Sequence, residues 1–311
     1  MARARGSMGI GGGYFSSSQR VLLAMCVPAI SFFVVFNYLP LPAIYLAFVR
    51  FNYRDGIFGS DFVGLKNFMF LIRSGDLLRI TRNTFLYNLA FIFLGNTFAI
   101  AVAVMFNELA SMFRKIGQTI LFLPFFISYV MIGIFVYNLF SYNFGVLNNL
   151  LISLGLEPRS FFENRGLWKY VIVATHLWKG TGYASIVYFA AISGIDPQLY
   201  EAAVVDGASM WQRITRITIP ILKPTFILLI LFSLGGIIRG DFGLFFNIVG
   251  YNALLYPTTD IIETYVFRSL MVNFNFSVGT AVGLYQSIIG FLLVMTTNTI
   301  VRRVEPDYAL F

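Results

Sequence analysis

The sequence predicts an all-α polytopic membrane protein with six transmembrane helices, and three observations carry that reading. The chain of 311 residues is 58% hydrophobic and only 12% charged, where a soluble domain carries about 25% charged residues. Its apolar residues gather in runs of about 20, the length that crosses a hydrocarbon core of roughly 30 Å. A single cysteine, Cys26, and a single histidine, His176, leave no disulfide framework and no Cys/His metal cluster. The net charge of +8 would point to nucleic acid in a soluble protein. Beside membrane spans it reads instead as basic residues facing lipid headgroups, so lipid and not nucleic acid is expected.

The spans fall in order at residues 21–48, 84–106, 118–140, 170–193, 225–248 and 279–301. The first follows a tail, 1–20, and is far longer than the roughly 7–15-residue core of a signal peptide, with no small-residue cleavage site after it. It reads as a retained span, kinked by Pro28, Pro40 and Pro42. The loop 49–81 is expected to hold a short interfacial helix, since Phe62, Leu65, Phe68, Met69 and Ile72 recur at helical spacing. Residues 82–301 form the core, followed by a tail at 302–311.

Six spans put both termini on one side. Basic residues do not decide which side. Segments 1–20, 107–117, 194–224 and 302–311 together hold ten Lys/Arg, but the loop 49–83 alone holds Arg50, Arg54, Lys66, Arg73, Arg79 and Arg82.

Between the fourth and fifth spans lies a segment with soluble-protein habits, 194–220. Asp196 and Pro197 are an N-cap and N1 pair that starts a helix. Gly207 ends it as a C′ residue, and Ser209 with Gln212 makes a capping box for a second helix. Met210, Ile214 and Ile217 give that helix one apolar face, and Pro220 and Pro224 are expected to stop it. Ala202 and Ala203 leave a small face for close approach.

The run "EAAVVDGASMWQRITRITIP", preceded by "GIDPQLY", resembles the EAA loop of binding-protein-dependent ABC importer permeases, with Glu201, Ala202, Ala203, Asp206, Gly207, Ala208, Ile217 and Pro220 in matching order. Further stretches, among them "FNYLPLPAIYLAF", "FVGLKNF", "RNTFLYN", "LPFFIS" and "HLWKGTGYASIVYFAA", are similar to carbohydrate permeases of the maltose and LplB type. The resemblance implies a MetI-like permease core whose EAA loop is a cytoplasmic coupling helix. That places both termini in the cytoplasm of a bacterial inner membrane. It implies that Glu201, Ala202, Ala203, Asp206, Gly207, Arg213 and Arg216 meet an ATPase. The chain has no Walker A run, so ATP and Mg are expected on a dimer of partner ATP-binding subunits, with no cofactor in this chain and no catalytic residue of its own. A second, homologous permease subunit in a heterodimer and an extracytoplasmic solute-binding protein complete the implied assembly.

Intramembrane polar residues mark the cargo pathway, because each central charge costs roughly 2.5–3.5 kcal/mol to insert. Lys179 falls mid-span beside His176, Trp178, Gly180 and Tyr183, and Arg239 and Asp241 interrupt the fifth span after Gly235 and Gly236. Maltose-type permeases carry substrate contacts in a similar N-x-W-x-G-x-x-Y run, and here His176 replaces the Asn. The expected cargo is an oligosaccharide, with an acidic one such as an oligouronide as the sharper reading, since an Arg fork grips carboxylates. Against it stands a structural role, with Arg239 paired to Asp241 and Lys179 snorkelling or paired to the same carboxylate. A neutral oligosaccharide or an ion-coupled secondary transporter are the alternatives. A membrane enzyme lacks a nucleophile or metal constellation.

Overall fold

The computed structural model describes residues 17–304. The expected tails meet them only at 17–20 and 302–304, and the rest of each tail lies outside the described residues. Among the described residues, four helices are long and apolar enough to cross a membrane, Val21–Phe48, Asp76–Glu108, Met210–Gly235 and Phe276–Arg303, and a bent pair, Ser111–Phe126 and Tyr129–Phe140, makes up to five. The six-span expectation is therefore met only to that extent, and two spans differ in form from the ones predicted.

The first element, α1 (Ser17–Phe33), runs through Pro28 and passes into a π turn (Val34–Tyr38) and a 3-10 helix (Leu41–Phe48). Its most apolar window buries nothing against the rest of the chain. The following loop holds a hairpin that hydropathy does not reveal, β1 (Val49–Asn52) against β2 (Ser60–Phe62), paired Val49 to Phe62 and Arg50 to Asp61. The interfacial helix expected at 62–72 is α2, Lys66–Arg73. Its start shifts because Phe62 is taken by the hairpin.

Next, α3 (Asp76–Glu108) begins eight residues before the expected span (84 − 76), with Asp76 in its first turn. The third span is broken. Helix α4 (Ser111–Phe122) and α5 (Tyr129–Phe140) meet at 95° across the proline-containing run Leu123–Phe126. The fourth span is α6, Arg165–Ser193, 29 residues. At 1.5 Å per residue it is roughly 44 Å long, enough to cross, but Lys169, His176 and Lys179 dilute its apolar run.

The fifth span corrects the sequence reading most. After α7 (Pro197–Val205), the second helix of the charged segment does not stop at Pro220 and Pro224. It continues as α8, Met210–Gly235. A π turn at Ile214–Thr218 precedes Pro220. That extra residue lets the chain pass a proline whose missing amide and ring would otherwise break an α-helix. The helix ends at Gly235, and the apolar run beyond it folds separately as α9, Phe242–Val249. Finally, α10 (Ile262–Met271) leads to α11 (Phe276–Val304).

Three buried clusters hold these helices together. Ala99, Ala103, Tyr188, Ile192 and Leu222 join α3, α6 and α8, where the small alanines let backbones approach. Phe91, Ile132, Trp168 and Phe245 join α3, α5, α6 and α9. Ile80, Ile262, Ala281 and Val282 join α3, α10 and α11. One buried carboxylate, Asp260, accepts two bonds from Arg268 at 2.6 and 3.1 Å and lies 3.9 Å from Arg79, so its charge is paired as burial requires.

Candidate functional site

A cavity of about 500 Å³ opens between α3, α6 and the break that follows α8. Of the residues expected along a cargo path, His176, Gly180, Tyr183, Gly236, Arg239 and Asp241 line it. Trp178, Lys179 and Gly235 do not. Trp178 is half exposed on another face of α6, because a residue two positions from His176 lies roughly 200° around the helix.

Lys179 is spent on structure. Its ammonium donates to the carbonyls of Phe125 (2.8 Å) and Ile127 (2.5 Å), with Pro124 at 3.5 Å. Those carbonyls belong to the bend between α4 and α5, where the helical ladder is interrupted. The lysine satisfies groups that lipid could not, and it also sits 5.0 Å from the Tyr129 ring centre. The pairing with Asp241 considered above does not form.

Asp241 is likewise committed. It is the N-cap of α9, accepting from the Leu244 amide at 3.0 Å, and it accepts a hydrogen bond from the Tyr129 hydroxyl. Arg239 makes no ion pair with it. The Arg239 side chain has no hydrogen-bond or ion-pair partner among the described residues, and it is exposed to the cavity. The expected Arg239–Asp241 pair is thus corrected: the carboxylate is used locally and the guanidinium is left over.

The backbone of the break is clamped by side chains that hydropathy reading passes over. Asn88 donates to the carbonyls of Ile237 (2.8 Å) and Arg239 (2.9 Å). Gln286 donates to the Ile238 carbonyl (2.9 Å), and Glu263 accepts from the Gly240 amide (2.7 Å). Burial pushes the Glu263 carboxyl up from the ordinary range, while bonds from Gln286 and Gly240 and the Arg239 charge pull it back. Asn88 and Asn96 also line the cavity, and polar residues on an apolar helix are a signal that could have found them. The aromatic wall is Phe91 stacked on His176, 3.7 Å between ring centres and 9° from parallel, together with Tyr183, which stacks on Phe125 at 4.5 Å.

At the far end of α6 and α8 lies the second candidate surface. Asp196 caps α7 through the Gln198 amide, Gly207 takes φ +76°, and Ser209 and Gln212 close the expected capping box. Ala203, Asp206, Gly207, Arg213 and Arg216 line one concave patch there. Glu201 and Ala202 lie on the preceding helix, outside that lining. Arg213 lies 3.9 Å from Glu108 at the end of α3, which ties the segment to the core.

The model of the family described as "Binding-protein-dependent transport system inner membrane component" matches residues 95–309. The chain belongs to this family. Among curated relatives, the polygalacturonan/rhamnogalacturonan transport system permease protein YteP of Bacillus subtilis is 31% identical over 92% of this chain and 88% of its own. Protein LplB of the same organism is 28% identical over 92% and 90%. A solved bacterial ABC transporter involved in import of the acidic polysaccharide alginate superposes with a TM-score of 0.81 at 34% identity, covering 93% of this chain and 97% of that one. The same kind of transporter, in complex with a periplasmic protein bound to an alginate pentasaccharide, gives 0.80. The resemblance read from the EAA-like segment to carbohydrate ABC permeases is borne out.

Proposed function

We propose that this chain is the permease subunit of an ATP-driven importer that carries an acidic oligosaccharide, delivered by a solute-binding protein across a bacterial cytoplasmic membrane. The observation that carries the acidic reading is Arg239, a guanidinium with no hydrogen-bond or ion-pair partner among the described residues, facing a cavity also lined by Phe91, His176 and Tyr183. Aromatic faces take the apolar faces of sugar rings, and a guanidinium fork takes a carboxylate bidentately. Relatives named for polygalacturonan and alginate transport agree with that chemistry. The ion-coupled alternative loses two of its candidate groups, because Lys179 and Asp241 are both used in holding bends.

In this reading the segment around Glu201, Ala202, Ala203, Asp206, Gly207, Arg213 and Arg216 docks on a partner ATPase, one of two that bind ATP and Mg. A second permease subunit completes the path and covers the unburied α1, and both termini are cytoplasmic. The test is uptake by the full importer in proteoliposomes at saturating binding protein, with pentagalacturonate and galactopentaose as cargo. Arg239→Gln is expected to slow pentagalacturonate uptake by about tenfold or more, the worth of one charge-assisted hydrogen bond of roughly 1.5–3 kcal/mol, and to spare galactopentaose. Equal uptake of both sugars by wild type and variant would assign the cavity to neutral cargo.

A further inference from the structure

The break between α8 and α9 is held by a carboxylate that is only half used. Glu263 Oε1 accepts both the Gly240 amide at 2.7 Å and Gln286 Nε2 at 2.6 Å. Its other oxygen, Oε2, is buried and has no hydrogen-bond partner among the described residues. The carboxylate comes this near only because residue 240 is glycine, since a Cβ there would lie 2.6 Å from Oε2 and 2.5 Å from Ile261 Cδ1. The preceding residue is Arg239, whose charge acts on this carboxyl. Two groups of opposite charge thus flank the same stretch of backbone, Arg239 on the cavity side and Glu263 behind it, and neither is satisfied. An unsatisfied buried acceptor is costly, and more so when charged. The buried Asp260 carboxylate, by contrast, is paired through both oxygens with Arg268.

We propose that Glu263 is the internal counter-charge of Arg239 and thereby sets how strongly the cavity selects an anionic cargo. This rests on the acidic-cargo reading above. The two groups form no ion pair, so Glu263 acts on Arg239 through its charge alone, and an anionic group on the cargo competes with that charge. Asp241 lies in the same lining but is held in place by Tyr129 and the Leu244 amide. A neutral sugar meets no such competition. Glu263 acts through Arg239 and the Gly240 backbone and so is a positioning residue.

The test is a double-mutant cycle on the permease–ATPase complex in nanodiscs, reading the equilibrium Kd of labelled pentagalacturonate and of galactopentaose. Glu263→Gln keeps an oxygen for Gly240 and Gln286 and removes only the charge. It is expected to tighten pentagalacturonate binding by about threefold to tenfold, to leave galactopentaose within about twofold, and to lose its effect in an Arg239→Gln background. Glu263→Asp, which withdraws the charge from the guanidinium, is the second variant and is expected to shift Kd the same way by less. If either variant moves both sugars alike, or still acts without Arg239, or does nothing, Glu263 is scaffolding and the proposal is overturned. Failure of the underlying reading is distinct, for then wild type itself would show no preference for pentagalacturonate and Arg239→Gln no loss.

Discussion

Replacing Gly182 with valine is expected to remove most of the assembled permease from the membrane. Helix α6 crosses the end of α4 at this residue. A Cβ on Gly182 would lie 1.9 Å from the Leu121 carbonyl oxygen, 2.4 Å from its carbon and 2.9 Å from the Phe122 nitrogen. All three are backbone atoms, so no rotamer change relieves the clash, and the helices must part. Parting costs more than the usual 1–3 kcal/mol of overpacking. One turn earlier on α6, Lys179 holds the carbonyls of Phe125 and Ile127. Moving the crossing strips those acceptors of their donor in a medium that offers no water, at several kcal/mol each. Immunoblots of membrane fractions should show the loss, with Gly283→Ala, which meets nothing within 4 Å, at wild-type abundance. A Gly182→Val protein present at wild-type level would show that the α4–α6 contact is not a packing constraint.

What the sequence disclosed and what it hid divide along the range of the interactions. The caps of the charged segment were legible because Asp196, Gly207, Ser209 and Gln212 each act within a few residues of themselves. The break after Gly235 was only half legible: Arg239 and Asp241 were expected to interrupt the fifth span, yet that span was drawn through to 248, where the chain folds as two separate helices. The same local rules misplaced the end of the segment's second helix. Prolines at 220 and 224 predict a stop, and only the π turn at 214–218, a tertiary accommodation, carries the helix through. Partners lay wholly outside the reach of pattern. Lys179 faces carbonyls more than fifty residues upstream in sequence, not the expected acid, Asp241. Asn88, Glu263 and Gln286 come from three different helices to clamp one short stretch of chain. Their residue types are unremarkable one at a time, and the clamp exists only in the fold.

The unbroken α8 gives the proposed coupling segment a direct mechanical route to the cavity, and Gly207 is where that route can be cut. Helix α8 starts at Met210 beside the segment and ends at Gly235 beside Arg239, a reach of roughly 38 Å at 1.5 Å per residue. On the other flank, α6 carries His176 and Tyr183 down to Ser193, three residues before the α7 cap at Asp196. A push on the α7–α8 corner therefore moves both walls of the cavity. The corner turns at Gly207, with φ +76° and nothing within 4 Å of where a Cβ would be. Space is free there and only the backbone conformation is demanding, at about 1–2 kcal/mol for an ordinary L-residue and more for a β-branched one. Gly207→Val should thus leave the permease folded while changing the angle between α7 and α8. In proteoliposomes, uptake is expected to fall by about tenfold or more while ATP hydrolysis continues, as for other elements that gate a transport or catalytic step. Gly207→Asn, which tolerates the left-handed region, should keep most of the uptake. Wild-type uptake by Gly207→Val would rule out the corner as the coupling element. Equal failure of the Asn variant would place the constraint in the surface the ATPase touches and not in the turn.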